Sequence, residues 1–378
     1  MSNGLNKVEV AIVGGGIAGL TTAVALMQAG IDVHVYEQAP AYGEVGGHLT
    51  MDPAAIAVLA RWGLDGPFKD ISCELDGMEV KSLRTGQILA AFPHPDIGAL
   101  GVEDDDRKGT RVLRSFLRTE FLGMLAARLP AGNLHTGHKL VALEGDETGA
   151  TVRFENGSAV TASIVLGADG VRSLARRSFD DSLAVSANWS VLRTLCPANL
   201  LPDDMPNDRM RFWDGWEFGD KEAQIGAHLL TVPVREGKFV SLDLQFVGGD
   251  QLEGCDPWDL PIDRVKRRYP ETIDPVVKNM IDGRVEPITS HSIFDRPVAD
   301  KWVDKRIAIL GDAAHSMRPS MGQGACQSIH DAGELANSIA LHGLTTEALL
   351  AFEAKRKPYV KMIVDVTRAQ PVAPELKD

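Results

Sequence analysis

Three glycines, Gly14, Gly16 and Gly19, follow an apolar run at residues 8–13 and open an apolar helical segment. This spacing brings backbone N–H groups and the positive end of a helix dipole towards a phosphate, while the third glycine lets helix and strand pack closely. Glu37 ends the next apolar segment, where a carboxylate can bind the hydroxyls of an adenosine ribose. Together these residues predict a dinucleotide site, with FAD and NAD as alternatives.

Two later apolar segments also end in glycine–aspartate turns. Asp169 and Gly170 follow residues 159–166, and Gly311 and Asp312 follow residues 307–310. A short carboxylate at a strand end can accept hydrogen bonds from sugar-like hydroxyls. The sequence PSMGQG then opens a long helix whose free N-terminal N–H groups can stabilise an anion. These turns are further places where the backbone can approach a ligand.

The loop after Glu37 is rich in glycine and contains His48. It can run beside the rest of a long cofactor, or it can be an ordinary connection. His48 and His228, the latter in a predicted strand, are candidates for contact with a substrate. For His315, a functional role and local packing are both open, whereas His34 alternates within a strand and reads as structural.

Composition limits the classes of function. The chain has 378 residues, of which 44% are apolar, and 39 basic against 52 acidic residues give a net charge of −13. A surplus of acidic residues argues against nucleic acid as a partner. Four scattered cysteines predict neither a zinc site nor disulfides, and we expect no metal. No apolar stretch approaches the roughly 20 residues of a membrane span, and we expect a cytoplasmic protein.

The pattern of elements changes twice along the chain. Residues 179–287 alternate between apolar and polar positions with Gly- and Pro-rich turns, which predicts an antiparallel sheet. The flanking segments have the apolar strands and helices of an α/β fold. We also expect single helices over residues 110–129, with Arg114 and Arg118 on one side, and over residues 263–281.

Three motifs in this order carry a resemblance to a known family: GGGIAG with Glu37, LGADGVRS, and LGDAAHSMRPSMGQG. The chain resembles the single-component FAD-dependent aromatic hydroxylases, the p-hydroxybenzoate hydroxylase-like flavin monooxygenases. Salicylate, hydroxybenzoate and hydroxynicotinate hydroxylases and the tetracycline-inactivating flavin enzymes look like nearer relatives. The resemblance implies an NAD(P)H-dependent FAD monooxygenase that hydroxylates an aromatic or heteroaromatic small molecule through a flavin C4a-hydroperoxide formed with O2.

The same resemblance implies the domain organisation. A Rossmann-type FAD-binding domain of class α/β (α+β), with C-terminal helices, would be assembled from residues 1–76, 108–178 and 288–378. An antiparallel β-sheet substrate domain would be inserted as residues 77–107 and 179–287. The substrate would bind between that sheet and the flavin, and the protein would be a monomer or a homodimer.

The resemblance also implies a tightly bound, non-covalent FAD. By this analogy the three glycines hold its pyrophosphate, Arg118 contacts FAD, Asp169 serves FAD and NAD(P)H, and Asp312 binds the ribityl chain. The predicted cofactor-binding residues are Gly14, Gly16, Ile17, Ala18, Gly19, Glu37, Gln38, Gly46, Gly47, Arg118, Asp169, Gly170, Gly311, Asp312, Pro319, Gly322, Gln323, Gly324 and Ala325. The predicted catalytic residues are His48, His228 and Gln323.

One departure from the family keeps alternatives open. Several phenol and pyridinol hydroxylases of the family have a base histidine where Leu192 stands here. This difference, together with the loop at Gly46 and Gly47, favours hydroxylation or epoxidation of a polycyclic natural product or antibiotic. A flavin reductase or dehydrogenase that makes no use of O2, and a non-catalytic dinucleotide sensor, are the remaining alternatives.

Overall fold

The computed structural model describes residues 6–41, 47–93, 113–215, 227–247, 259–266, 269 and 272–369. Gly46 therefore lies outside the described residues. Within those residues, no helix has the length and apolar character needed to cross a membrane, and no group of three His, Cys, Asp or Glu residues is arranged to hold a metal ion.

The helices of the described residues are α1 (Ile17–Gln28), α2 (Pro53–Ala60), α3 (Asp65–Asp70), α4 (Arg118–Ala126), α5 (Ile262–Lys266), α6 (Pro275–Asp282), α7 (Asp312–His315), α8 (Gln323–His342) and α9 (Thr346–Ala369). The strands are β1 (Asn6–Val13), β2 (Val33–Tyr36), β3 (His48–Met51), β4 (Ser72–Glu74), β5 (Gly77–Ser82), β6 (Ile88–Pro93), β7 (Arg114–Leu117), β8 (Leu134–His135), β9 (Leu140–Gly145), β10 (Ala150–Phe154), β11 (Ala159–Gly167), β12 (Val185–Pro197), β13 (Met210–Asp214), β14 (Ala227–Val234), β15 (Phe239–Val247), β16 (Thr289–Asp295), β17 (Val303–Asp304) and β18 (Ile307–Ile309).

An eight-stranded sheet carries the predicted dinucleotide motif. Its order is β17-β18-β11-β1-β2-β8, with β10 and β9 attached beside β11. Strands β18, β11, β1, β2 and β8 run parallel. Residues 10–13 of the central strand β1 are apolar and buried on both faces, as is expected of a parallel strand between helical layers. Helix α1 packs against α8, which also contacts α2 and α9. The predicted Rossmann-type α/β fold is confirmed.

A seven-stranded sheet, in the order β16-β12-β15-β14-β13-β5-β6, forms the second part. All its pairings are antiparallel except that of β13 with β5. Strand β16 belongs to this sheet, so the sheet extends past the domain boundary predicted at residue 287. The predicted boundary was drawn at a change of composition, but strand pairing carries the sheet as far as Asp295.

The two faces of this sheet have different surroundings. Leu192 pairs with Leu244, and both belong to an apolar core that includes Val277 and Met280 of α6. Their neighbours Arg193 and Asp243 lie on the opposite face because side chains alternate along a strand. The helix-covered face is therefore structural, and the other face is free to form a site.

A small sheet of β3, β7 and β4 connects the two larger ones. The Ser115 hydroxyl donates a hydrogen bond to the carbonyl of Pro233, with the oxygens 2.6 Å apart. Leu117 packs with Val232 and Val234 of the seven-stranded sheet. The small sheet therefore fixes the position of the second domain on the first.

Two predicted helices were wrong in their bounds. Residues 114–117 form β7, which pairs with β3 and β4, and the helix begins at Arg118. Arg114 and Arg118 therefore do not share one side of a helix. The single helix predicted over residues 263–281 is replaced by α5 and by α6, which begins at Pro275 under an Asp274 cap.

Shortening Leu192 tests the orientation of β12. We expect Leu192→Ala to lower the free energy of unfolding by about 2–5 kcal/mol, because it leaves a cavity in the helix-covered core, with little change in FAD affinity. Thermal unfolding and flavin titration measure the two effects, with Leu350→Ala, an exposed leucine of α9, as control. Loss of FAD affinity at unchanged melting temperature would place Leu192 on the wrong face.

Candidate active site

The turn between β1 and α1 is shaped by two close backbone contacts. Gly14 has φ +108°, and a Cβ placed on it would lie 2.3 Å from the carbonyl oxygen of Ala168. A Cβ on Gly19 would lie 1.9 Å from the carbonyl oxygen of Gly14. Both positions therefore require glycine for steric reasons. The first two turns predicted to approach a ligand are in contact with each other here.

Gly16 faces a more open region at the N-terminus of α1. The nearest atom of the described residues to a Cβ on Gly16 would be an Nη2 of Arg118, 3.9 Å away. Ile17 and Ala18 follow in the first helical turn. A helix N-terminus with a guanidinium beside it attracts anions, so this region suits a pyrophosphate.

Glu37 is fixed at the end of β2 by its own carboxylate. Its two oxygens accept hydrogen bonds from the N–H groups of Gly15, at 2.6 Å, and Ala39, at 2.8 Å. The carboxylate thus lies beside the glycine-rich turn, and it has lone pairs left for ribose hydroxyls. Gln38, the next residue, is exposed.

Asp312 lies in a recess. Gly311 before it has φ +57°, and a Cβ on Gly311 would lie 2.6 Å from Cβ of Ala18. Asp312 itself is exposed between buried neighbours, yet burial by the surrounding protein raises its pKa, an effect that His315 and Arg118 oppose. An exposed carboxylate with this shift lines a cavity enclosed by protein.

The N-terminus of α8 borders the same recess. The chain passes through a 3-10 turn at Pro319–Met321 and through Gly322, with φ +63°, into α8. A Cβ on Gly324 would lie 3.9 Å from Oδ1 of Asp312. Gly322, the N-cap residue of α8, has no side chain to cap the first turn, in which Ala325 is buried. Its N–H groups can therefore stabilise a negative charge on a group bound in the recess.

Gln323 is placed differently from the sequence-based expectation. Its side chain is 8% exposed and turned into the protein. The amide nitrogen donates to Oδ2 of Asp52 at 3.3 Å, and the amide oxygen accepts from Gln327 at 3.0 Å. With both ends of the amide engaged, the predicted catalytic role of this side chain has no support in the geometry.

Asp169 also uses its carboxylate locally. It accepts hydrogen bonds from the hydroxyl of Ser173 at 2.5 Å and from the N–H groups of Leu174 and Ala175 at 2.7 and 3.0 Å. These contacts hold the turn that begins at Gly170, which has φ +78°. The motif contacts the glycine-rich turn through the Ala168 backbone, and cofactor contact by Asp169 stays a prediction.

His48 connects the recess with the seven-stranded sheet. Its Nδ1 shares a hydrogen bond with the hydroxyl of Ser241 at 3.0 Å and lies 3.4 Å from Oδ1 of Asp243. Burial lowers the pKa of His48, although Asp243 opposes the effect. The imidazole is therefore held in its neutral form with Nδ1 directed at the sheet.

Arg193 extends this cluster to the cofactor loop. Its Nε lies 3.3 Å from Oδ2 of Asp243, and a Cβ on Gly47 would lie 2.3 Å from its Cδ. The Gly47 carbonyl accepts a hydrogen bond from the N–H of Arg118. Gly47 thus lies between two arginines, Arg193 of the seven-stranded sheet and Arg118 at the start of α4.

His291 of β16 completes the cluster. Its Nε2 shares a hydrogen bond of 3.0 Å with the hydroxyl of Thr289. Burial, reinforced by Arg193, lowers the pKa of His291 to about 4. Sequence reasoning missed Arg193, Ser241, Asp243 and His291. The signal was present in β15, where Ser241 and Asp243 alternate with valine and leucine.

The structure corrects the interpretation of Leu192. Its side chain faces the helix-covered core, so it does not stand in the place of a pocket histidine. Val191 and Arg193 on either side of it face the site. A shift of one residue reverses the face in a strand, and the comparison with the family histidine fails for that reason.

His228 lies on the same sheet face as Asp243, one strand further on. Its Nδ1 is 3.3 Å from Oδ1 of Asp214, and its ring packs on Phe212 with centroids 4.9 Å apart. It pairs in register with Gln245, two residues along β15 from Asp243. The two predicted histidines thus face one region from neighbouring positions, each beside a carboxylate.

The geometry fits FAD. A helix N-terminus beside Arg118 suits the pyrophosphate, Glu37 suits the ribose, and the exposed carboxylate of Asp312 suits the ribityl hydroxyls. A family model described as an FAD binding domain matches residues 7–367. The chain is also 30% identical over 379 residues to 3-hydroxybenzoate 6-hydroxylase of Klebsiella oxytoca, covering 94% of this chain and 86% of the relative.

The chain belongs to the FAD-dependent aromatic hydroxylase family of monooxygenases. This flavin monooxygenase is 29% identical over 352 residues to 3-amino-4-hydroxybenzoate 2-monooxygenase of Streptomyces cremeus, covering 93% of this chain and 84% of the relative. Its fold is similar to that of HpxO of Klebsiella pneumoniae, crystallised with FAD and uric acid, with a TM-score of 0.80 at 24% identity and coverage of 95% and 87%. FAD is its cofactor.

Removing the carboxylate from the recess tests its role in the flavin monooxygenase. We expect Asp312→Ala to be purified with little or no FAD and to bind added FAD at least tenfold more weakly, because the ribityl hydroxyls lose a charged acceptor. Flavin fluorescence titration measures the affinity. Asp203→Ala, at an exposed aspartate of the other domain, serves as control. Full retention of FAD would remove Asp312 from the cofactor site.

The lowered pKa of His291 predicts an effect on acid stability. Between its ordinary value of 6.5 and about 4, the unfolded chain binds a proton that the folded protein excludes, so the free energy of unfolding falls as pH falls through that window. We expect the melting temperature to fall less in His291→Gln than in the wild type when the pH is lowered from about 7 to about 4.5. Parallel pH curves would show that His291 titrates normally.

Proposed function

We propose that this monooxygenase hydroxylates a small aromatic or heteroaromatic compound, with NAD(P)H as reductant and O2 as oxidant. The observation that carries the proposal is the pair of histidine–carboxylate contacts, His48 with Asp243 and His228 with Asp214, on one face of the seven-stranded sheet. An imidazole beside a carboxylate can take a proton from a ring hydroxyl. Several relatives are named for hydroxylated aromatic acids.

The surface between the two histidines suits a flat, partly polar ligand. Phe212, Leu230 and Gln245 lie on this face and are half-buried. A ring stacked on apolar side chains, with a few polar groups at its edge, is the usual composition of a small-molecule site. Arg193 lies at one end and can attract an anionic group of the ligand.

We assign to His48 the role of accepting a proton from the substrate. With Nδ1 used for Ser241, the neutral ring has Nε2 as its basic nitrogen when Nδ1 carries the proton. Asp243 Oδ1 is buried 3.4 Å from Nδ1 and makes no hydrogen bond within the described part of the chain. This oxygen can stabilise the charge that His48 acquires on accepting a proton.

His228 is assigned the role of orienting the ring. Its contact with Phe212 fixes the plane of the imidazole, and Asp214 is buried beside it. A second polar group at the far edge of the ligand holds the ring at a defined angle, and orientation of this kind contributes strongly to rate.

When bound, FAD would supply the redox chemistry, namely acceptance of a hydride and activation of O2. The protein contributes binding through Glu37, Arg118 and Asp312. The N–H groups at the start of α8 stabilise negative charge in the recess. His48, Ser241 and Asp243 are buried, which keeps bulk water away from the proton-accepting group.

The alternatives differ in what supports them. Action on a polycyclic natural product or antibiotic rested on Leu192 and on the loop at Gly47, and the first of these arguments is lost because Leu192 faces the core. The relationship to named monooxygenases disfavours a flavin reductase and a dinucleotide sensor.

Cofactor oxidation with a panel of compounds tests the proposal. We expect one aromatic acid or hydroxypyridine to stimulate NADH or NADPH oxidation by the FAD-loaded enzyme, with hydroxylated product and little hydrogen peroxide. Tetracyclines belong in the same panel as polycyclic competitors. Stimulation by tetracycline alone, or stoichiometric peroxide with every compound, would contradict the proposed substrate class.

The His48 assignment is tested with the compound so identified. We expect His48→Gln to lower kcat/KM by about 10²–10⁴-fold and to remove the acidic limb of the pH profile, because the base is lost. His342→Gln, which changes an exposed histidine at the C-terminal end of α8, is the control. An unchanged pH profile in His48→Gln would assign the proton transfer to another group.

A further inference from the structure

A buried carboxylate behind the recess holds three partners. Asp331 of α8 has no exposed surface. Its Oδ2 accepts hydrogen bonds from the N–H of Gly311 at 2.9 Å and from Nε2 of His315 at 2.6 Å. Its Oδ1 accepts from Nε of Arg356 at 2.8 Å. Asp331 therefore fixes the residue directly before Asp312 and the last residue of α7.

The hydrogen bonds continue from Arg356 to the start of α8. Nη2 of Arg356 donates to the amide oxygen of Gln327 at 2.7 Å, and the Gln327 amide nitrogen donates to Gln323 at 3.0 Å. Gln323 in turn donates to Asp52 at 3.3 Å. We name this series of residues, from Asp331 to Asp52, the buried polar chain.

Both ends of the buried polar chain lie at cofactor-facing backbone. One end fixes Gly311, which precedes the recess carboxylate Asp312. The other end fixes Gln323, the first residue of α8, whose N–H groups border the same recess, and reaches Asp52 just after β3. The chain thus joins the two parts of the recess that meet near Asp312 and Gly324.

Stability alone does not account for such an arrangement. Burial by itself would raise the pKa of Asp331, but His315 and Arg356 hold it well below its usual range, so the carboxylate is charged. Burying an ion pair gains little over apolar packing. The pair instead fixes the orientation of the groups it joins, because each hydrogen bond holds one donor in a defined position relative to one acceptor.

We propose that Asp331, Arg356 and Gln327 are positioning residues for the flavin, which hold the Asp312 turn and the N-terminus of α8 in one fixed arrangement. Asp312 would bind the neutral ribityl hydroxyls, which are the same in oxidised and reduced flavin, whereas the N–H groups of α8 interact with a charge that changes on reduction. The N–H groups favour a negative charge and therefore bind reduced, anionic flavin better than oxidised flavin. Misplacing α8 should weaken binding of the reduced form more than binding of the oxidised form.

Gln327→Met is the test variant, because it keeps the volume and the Asp331–Arg356 pair while breaking the link to Gln323. We expect a tenfold selective loss of affinity for reduced FAD, which corresponds to a midpoint potential about 30 mV more negative for a two-electron couple. Dye equilibration measures the potential, and fluorescence titration measures affinity for oxidised FAD. Asp331→Asn should give a larger shift with weaker FAD binding, and if it fails to fold, Gln327→Met decides.

Ser338→Ala, a buried polar site on α8 outside the buried polar chain, controls for general loosening of the helix. We expect it to leave the potential unchanged. A lower melting temperature of Gln327→Met with the wild-type potential would show a structural role and overturn the proposal. An equal loss of affinity for oxidised and reduced FAD would overturn it too, because α8 would then not be the part displaced.

Discussion

The close approach of the turns that follow β1, β11 and β18 is the constraint on which the rest depends. Gly14 lies against the carbonyl of Ala168, and Gly311 lies against Ala18. Parallel strands end on the same edge of a sheet, so their turns meet, and ligands bind in the crevice outside that edge. The glycines let these turns come close enough to leave a narrow recess, which the N–H groups and carboxylates of the turns then line.

The substrate side of the site depends on a different contact. His48, at the start of β3, contacts Ser241 and Asp243 of the seven-stranded sheet. The side chain of Arg193, which belongs to that sheet, lies against Gly47. The polar cluster therefore exists only where the two domains dock. The contacts of Leu117 and Ser115 in the small sheet hold the two domains together. The residues on the cofactor side and those on the substrate side therefore keep fixed relative positions.

Local steric rules explain what the sequence could predict. The glycine-rich turn and helices α8 and α9 depend on spacing and periodicity over short stretches, and they are found where expected. Residues 114–117 were assigned to a helix because the apolar pattern after them is helical, whereas pairing with β3 and β4 makes them a strand. The start of α6 was missed although Asp274 and Pro275, an aspartate cap followed by a proline in the first helical turn, are a local signal for it.

The polar cluster needed knowledge of register that the sequence does not contain. Which of Leu192 and Arg193 faces the site depends on the pairing of β12 with β15, and a shift of one residue exchanges them. The inward turn of Gln323 likewise depends on Asp52, a partner far away along the chain. Residues whose roles come from long-range contacts are the ones that sequence motifs place least well.

The order of strands in the eight-stranded sheet also bears on how the protein is made. Val13 pairs with Gly167, and Gly167 pairs with Ile309, so the centre of the sheet is assembled from segments far apart in sequence. Such non-local pairing slows folding. During synthesis, β10 can cover only residues 159–162 of β11 on the side opposite β1, and residues 165–167 have no partner there until β18 emerges. A nascent chain therefore exposes an apolar strand edge open to aggregation, and chaperone protection should matter most just before β18 is released from the ribosome.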